Sequence, residues 1–226
     1  MKPKSERCAI DGPAGRIELA LEIPGGVAHG LALIGHPHPR YGGTLDNKVA
    51  ATLARAFLSL GWIAARPNFR GVGASEGVHD EGRGETEDFL FLADAVPALP
   101  QCASVLSPAP LLALAGFSFG SFVAAGAAQV LATQGRPARA LVLIGTAAGK
   151  WPVPRVDAGS IVIHGEVDDT IRLPDVFAWA RESEVPVIVI PGADHFFHRR
   201  LTQLKSLVQK NLLGAAQLAR GGGGDD

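Results

Sequence analysis

Cysteine is nearly absent from this chain: Cys8 and Cys102 are the only two among 226 residues. So low a number excludes a disulfide framework and a thiolate metal cluster, and both are read as small structural residues. Charge is scarce as well. Charged residues make up 19% and the formal net charge is -1, so the basic footprint of a nucleic-acid binder is missing and no polyanion partner is indicated. No stretch approaches about 18 uninterrupted apolar residues, and the charged start, Met1 to Arg7, is not followed by the apolar segment a secretory signal needs. A cytoplasmic protein with neither membrane nor nucleic-acid partner is expected. The glycine-rich Asn68-Phe69-Arg70-Gly71-Val72-Gly73-Ala74-Ser75 lacks both the Gly-Lys-Ser/Thr and the Gly-x-Gly-x-x-Gly context of a phosphate cradle. It is read as a tight loop beside the functional edge, with Arg70 tying it to Glu85 or Asp88.

What is present is apolar: 47% of the residues are hydrophobic, enough for one substantial α/β core and too little chain for two domains of ordinary size. Residues 1–220 are read as one domain, and the Gly/Asp tail 221–226 is set aside as flexible. Apolar β-branched runs alternate with longer helical patterns, which predicts a mostly parallel central sheet with helices on both faces. Strands are expected near Arg16 to Ile23, Gly30 to Gly35, Trp62 to Asn68, Leu111 to Phe117, Ala140 to Gly145, Ser160 to His164 and Val185 to Ile190. Helices are expected near Asp46 to Leu60, Glu85 to Leu99, Ser121 to Thr133, Pro174 to Glu182 and Leu201 to Leu213. The stretch between Gly145 and Ser160, with Pro152 and Pro154, is too short for a helical cover, so an open, shallow site is expected.

The feature that carries chemistry is Gly116-Phe117-Ser118-Phe119-Gly120, preceded by the apolar run Pro110 to Ala115 and followed by an Ala-rich helical pattern. A chain that turns this sharply from strand to helix forces the serine into a strained conformation, tolerated when the residues two away on either side are small. The hydroxyl is exposed at the sheet edge, and the first free amides of the new helix aim at the same spot. Ser118 is therefore the candidate nucleophile.

A serine hydroxyl needs a base within hydrogen-bond reach, and the base needs a third group to orient it. His195 follows the apolar run Val187 to Ile190 and is the candidate base, with His198 as its competitor. Three carboxylates, Glu166, Asp168 and Asp169, follow the run Ile161 to Ile163. Asp168 is favoured, because three residues past Gly165 the loop has room to turn back over the edge. Glu166 lies too close to the strand, and Asp169 is the runner-up. For the oxyanion, one amide is expected from Phe119 and a second from His36-Pro37-His38-Pro39-Arg40-Tyr41-Gly42-Gly43. There the prolines have no N–H, which favours His38, with Arg40 and Tyr41 behind it. His36 with His38, and His195 with His198, also read as metal-ligand pairs. Neither pair brings the carboxylates or thiolates that complete a zinc sphere, so no metal is expected. Tyr41, Phe117, Phe119 and Trp151 are the expected pocket walls.

With these residues laid out, the chain resembles the α/β-hydrolase superfamily from about Arg16 to Leu213, in the order Ser, Asp, His. The segments His36-Pro37-His38-Pro39 with Gly42-Gly43-Thr44 and Asp46-Asn47-Lys48, then Asn68 to Ser75, then Gly192-Ala193-Asp194-His195-Phe196-Phe197, look like a small lidless bacterial group of serine hydrolases related to dienelactone hydrolases. That resemblance implies the α/β-hydrolase fold without a lid, a triad of Ser118, Asp168 and His195, and no cofactor. Two departures stand out: dienelactone hydrolases carry a cysteine where this chain has Ser118, and the common His-Gly oxyanion loop is here His36-Pro37. The expected activity is cleavage of carboxylic esters of small soluble substrates through an acyl-enzyme. Thioester or peptide-bond cleavage by the same triad, and a non-catalytic binding protein on a hydrolase scaffold, are the alternatives. A small-molecule ester is the expected partner, with a homodimer left open.

Overall fold

Residues 2–221 are described by a computed structural model, and the side chains of 215–221 are left aside. Of the tail expected over 221–226, Gly221 closes the last helix and 222–226 lie outside the described residues. In chain order the elements are β1 (Lys4–Gly12), β2 (Gly15–Ile23), β3 (Ala28–Gly35), a 3-10 turn (Pro39–Tyr41), α1 (Lys48–Ser59), β4 (Ile63–Pro67), α2 (Arg83–Ala98) and α3 (Pro100–Ala103). There follow β5 (Leu106–Phe117), α4 (Phe119–Thr133), β6 (Ala140–Ile144), β7 (Ile161–Gly165), α5 (Leu173–Ser183), β8 (Val187–Ile190) and α6 (Leu201–Gly221).

The strands form one eight-stranded sheet in the order β1-β2-β4-β3-β5-β6-β7-β8. β1 pairs antiparallel with β2 and β2 with β4, whereas every pairing from β4 through β3 to β8 is parallel. Side chains alternate across a strand, and the strands sort accordingly. Leu31, Leu33, Leu114, Leu143 and Val162 face the layer of α2, α4 and α5. Ala32, Ile34, Ala113, Ala115, Phe117, Val142 and Ile163 face α1 and α6. Burial on both faces is why these strands read as nearly continuous apolar runs.

Strand β1 carries no apolar run to signal it, because its half-exposed pattern alternates charged residues with Cys8 and Ile10. As an antiparallel edge strand it needs only one modest apolar face, and the charges along it discourage pairing with another chain. Helix α4 begins at Phe119, two residues earlier than the Ala-rich pattern suggests. Asn47 caps α1 by accepting from Val49 N and Ala50 N, at 2.9 and 3.2 Å, and Pro174 sits in the first turn of α5 as expected.

Two topological facts place the reactive edge. The strand order reverses between β3 and β5, and the crevice beyond the carboxyl ends of strands at such a switch is where open α/β sheets bind ligands. Among the described residues no helix lies between β6 and β7, so nothing from that connection covers the crevice. No described helix is long and apolar enough to cross a membrane.

Leu33, fully buried between β4 and β5, reports on the core. Leu33→Ala is expected to lower unfolding stability by about 3 kcal/mol. Urea denaturation reads this as a lower midpoint with an unchanged slope, and an unmoved midpoint would contradict the packing just described.

Candidate active site

The chain leaves β5 at Phe117 and enters α4 at Phe119, so Ser118 alone makes the turn, at φ 54° and ψ -122°. Such an angle is strained for a residue with a Cβ. The turn is possible because the flanking backbones meet without side chains. A Cβ on Gly116 would run into the carbonyl of Gly120, and one on Gly120 into the backbone of Gly35 and His36. Hydrogen bonds then fix the corner: Ser118 N–H donates to Ile144 O at 2.9 Å, and Ser118 O accepts from Ser121 N at 2.8 Å and Ser121 Oγ at 2.6 Å. Ala147 N–H donates to Ser121 Oγ at 3.1 Å, which ties the loop after β6 to the elbow.

The hydroxyl of Ser118 faces His195, with Oγ 3.0 Å from Nε2. On the far side of the ring, Nδ1 lies 2.7 Å from Asp168 Oδ2. His195 comes from the loop after β8, held by Val167 N–H donating to Ala193 O at 3.0 Å and Gly192 N–H donating to Glu166 Oε2 at 2.8 Å. Phe117 packs beneath the imidazole with ring centroids 4.8 Å apart. Asp168 is buried. Its other oxygen accepts from Thr170 N at 2.9 Å and Ile171 N at 2.7 Å. Burial pushes its carboxyl up, but the hydrogen bond and charge of His195, with the Ile171 amide and His164, outweigh it and hold it below the usual value.

The loop after β3 forms the opposite wall. His36 is fully buried. Its Nε2 accepts from Phe69 N at 3.0 Å, so Nδ1 carries the proton and donates to Pro37 O at 2.6 Å. His38 O accepts from Tyr41 N and Gly43 N, both at 3.1 Å, closing the 3-10 turn. Among the described residues the amides of His38 and Phe119 donate to no protein acceptor. The His38 ring lies 4.9 Å from Phe119, 4.8 Å from His79 and 5.4 Å from Trp151, and Trp151 stacks on Phe122 at 5.5 Å. His79 is held in turn by the buried Glu85 at 2.7 Å.

Comparison with known proteins bears on the fold and the family. No family model matches the chain. A lidless α/β serine hydrolase of Xanthomonas campestris superposes with a TM-score of 0.81 at 33% identity, covering 92% of this chain and 94% of its own. An α/β serine hydrolase homologue of Coxiella burnetii gives 0.79 at 34% identity, with 92% and 97% covered. The chain belongs to the α/β-hydrolase superfamily, in its lidless serine hydrolase group. A dienelactone hydrolase of Anabaena variabilis shares the fold, with a TM-score of 0.67 at 18% identity over 95% of this chain and 99% of that one.

In this hydrolase the residues singled out in the sequence fall into three sets. Ser118, His195 and Asp168 are brought together. The competitors are used elsewhere: His198 Nδ1 pairs with Asp194 at 2.6 Å on the surface, Asp169 is exposed, and Glu166 braces the His195 loop. Arg70 clamps Asp88 through two bonds of 2.9 Å, whereas Glu85 caps α2 by accepting from Gly82 N at 2.9 Å. The glycine-rich loop already holds an anion of its own, since the Glu18 carboxylate accepts from Asn68 Nδ2 at 2.6 Å and Ala74 N at 2.8 Å.

Two expected walls are corrected. Phe117 is fully buried and supports His195 from below, because strand alternation puts its ring on the side of Ala113 and Ala115. Phe119 is likewise buried, while Trp151 is half-buried and Tyr41 is 87% exposed. A cavity of about 660 Å³ lies at the other end of the sheet, lined by the last turns of α4, 137–141 and 155–160. It takes in none of the three residues around Ser118. Missed in the sequence were Phe122, His79 and His164, whose neighbours are set by how the loops fold back.

His36 gives a pH signature. Burial lowers its pKa from 6.5 to about 4, against a smaller opposing effect of the Pro37 carbonyl. Between those values the unfolded chain binds the proton that the native chain refuses, so stability falls as pH drops through that window. The loss is on the order of 3 kcal/mol at most. Urea titrations from pH 7 to 4 should show the slope in the wild type and lose most of it in His36→Gln.

Proposed function

We propose that this hydrolase cleaves carboxylic esters of small soluble substrates, with Ser118 as nucleophile, His195 as general base and acid, and Asp168 as the group that orients the imidazole. The observation that carries this reading is the continuous line from Ser118 Oγ to His195 Nε2, 3.0 Å, and from His195 Nδ1 to Asp168 Oδ2, 2.7 Å. An Nδ1–H donated to the carboxylate leaves the Nε2 lone pair facing the serine hydroxyl, the tautomer a general base requires.

The steps follow from that tautomer. Ser118 Oγ bonds to the acyl carbon while its proton passes to His195 Nε2, and the carbonyl oxygen becomes an oxyanion. The amides of Phe119 and His38 are the donors assigned to it, since among the described residues neither meets a protein acceptor. Collapse breaks the bond to the leaving oxygen, which takes the proton from Nε2 and departs as the alcohol. Water then attacks the acyl-enzyme, again giving its proton to His195, and the acid is released with Ser118 restored. Asp168 stays ionised throughout and stabilises the transient imidazolium, a role supported by its lowered pKa. His38, Tyr41, Phe122 and Trp151 are the rings positioned to contact the substrate, and with no cover over them a small soluble ester needs no lid opening to enter.

Three measurements test the reading. Ser118→Ala should lose hydrolysis of short-chain p-nitrophenyl esters and labelling by a fluorophosphonate while melting within a few degrees of wild type; retained labelling would defeat the assignment. Asp168→Asn should lower kcat on the order of 10⁴-fold, with Asp169→Asn close to wild type. Triglyceride titrated through its solubility limit should produce no jump in rate, and a steep rise there would contradict an uncovered site.

A further inference from the structure

His164 is the penultimate residue of β7, is fully buried, and takes no part in the steps above. Its Nε2 lies 2.9 Å from Ile171 O, an acceptor only, so Nε2 carries the proton. The same nitrogen stands 3.4 Å from Asp168 Oδ2, the oxygen that also receives His195 Nδ1–H. With the proton on Nε2, Nδ1 is a bare acceptor, buried with no protein donor among the described residues. A half-satisfied imidazole in a dry interior destabilises the fold, whereas a leucine of similar size would fill the space without an orphaned nitrogen. Packing therefore does not account for a histidine here, and the use of its Nε2–H does.

We propose that His164 is a positioning residue for Asp168. Its Nε2–H, bonded to Ile171 O, lies against Asp168 Oδ2 and by that contact fixes the carboxylate's direction toward His195 and moderates its charge. The inference rests on the triad reading above. The Asp168 oxygens are otherwise divided, Oδ1 held by the amides of its own loop and Oδ2 offered to His195, and a carboxylate held at one oxygen can still rotate about its terminal bond. By donating to Ile171 O as well, one N–H sets both the loop and the acid relative to β7. A donor on the carboxylate also disperses negative charge that would otherwise bind the imidazolium more tightly, so it makes His195 a weaker base. Burial lowers the pKa of His164 itself, which keeps the ring neutral and its single proton where the geometry needs it. The titratable groups facing His164 are Asp168 and His195. His195 faces Asp168, with Ser118 across the site and the Asp194–His198 pair beside it in its own loop.

The test uses the full chain with His164→Leu and His164→Gln, the glutamine amide having similar reach for a donor. The leucine variant should melt at or above the wild-type Tm. It should lose about fivefold in kcat with KM little changed, and the acid limb of its kcat/KM profile should move up by about half a pH unit. The glutamine variant should recover most of the rate and return the limb. An unchanged rate and limb in the leucine variant overturns the proposal, as does activity falling only in step with Tm while the limb stays put. If the leucine variant is insoluble, His164→Asn replaces it, because the shorter amide falls short of Asp168; equal behaviour of Asn and Gln then overturns the proposal. A wild type that resists a fluorophosphonate would bring down the triad reading and this inference together. An active, labelled wild type with an indifferent leucine variant brings down this inference alone.

Discussion

The reactive edge depends on a contact between bare backbones. Gly35 at the end of β3, Gly116 near the end of β5 and Gly120 in the first turn of α4 approach so closely that a Cβ at any of them would strike backbone atoms of a neighbour. This approach brings the end of β3, and with it the His36 to Tyr41 loop, against the first turn of the helix that follows Ser118. It also lets a residue with a side chain occupy φ 54°, a conformation costing on the order of 1–3 kcal/mol. The surroundings impose that strain: Ser118 N–H is held by Ile144 O, and Ser118 O by both donors of Ser121.

A second regularity follows from the parallel strands. Each of β3 to β8 carries a buried polar residue near its carboxyl end or in the loop that follows: His36, Asn68, Ser118, Thr146, His164 and His195, with Asp168 just past β7. Buried polar groups weaken a core unless they are bonded, and most of these are bonded across loops instead of within them. His36 joins the loop after β3 to that after β4, Ser121 joins α4 to the loop after β6, and Glu166 joins the loop after β7 to that after β8. Ser118, Asp168 and His195 come from three separate connections, so these bridges are what set their mutual distances.

How much of this is legible in the sequence depends on whether a property is local. The parallel strands are continuous apolar runs, and the elbow carries its own glycines. Asp168 is favoured over its neighbours by loop length alone, a local argument, and the structure sets its carboxylate against His195. Edge strand β1 escapes notice because a strand buried on one face has no apolar run to show. Phe117 was misassigned although the signal was present: Ala113, Ala115 and Phe117 share a face by strand alternation, and the switch of direction comes only at Ser118. His164 and His79 are different. Their neighbours, Ile171, Asp168, Glu85 and His38, are fixed by how the loops fold back, and no local pattern separates such a histidine from one that merely ends a strand.

The absence of a cover between β6 and β7 has an energetic side. A lidded enzyme can exclude water by closing on its substrate, whereas an open site must hold its dipoles in place beforehand. Here the loop after β3 is prearranged by an aromatic cluster. His38 packs against Phe119, His79, Tyr41 and Trp151, and the buried Glu85 anchors His79. Prolines on both sides of His38 reduce the loop's freedom before any substrate arrives. Rigidity from ring packing, two prolines and the glycine contact thus stands where a moving cover would otherwise order the edge, and it leaves Tyr41 exposed and Trp151 stacked on Phe122.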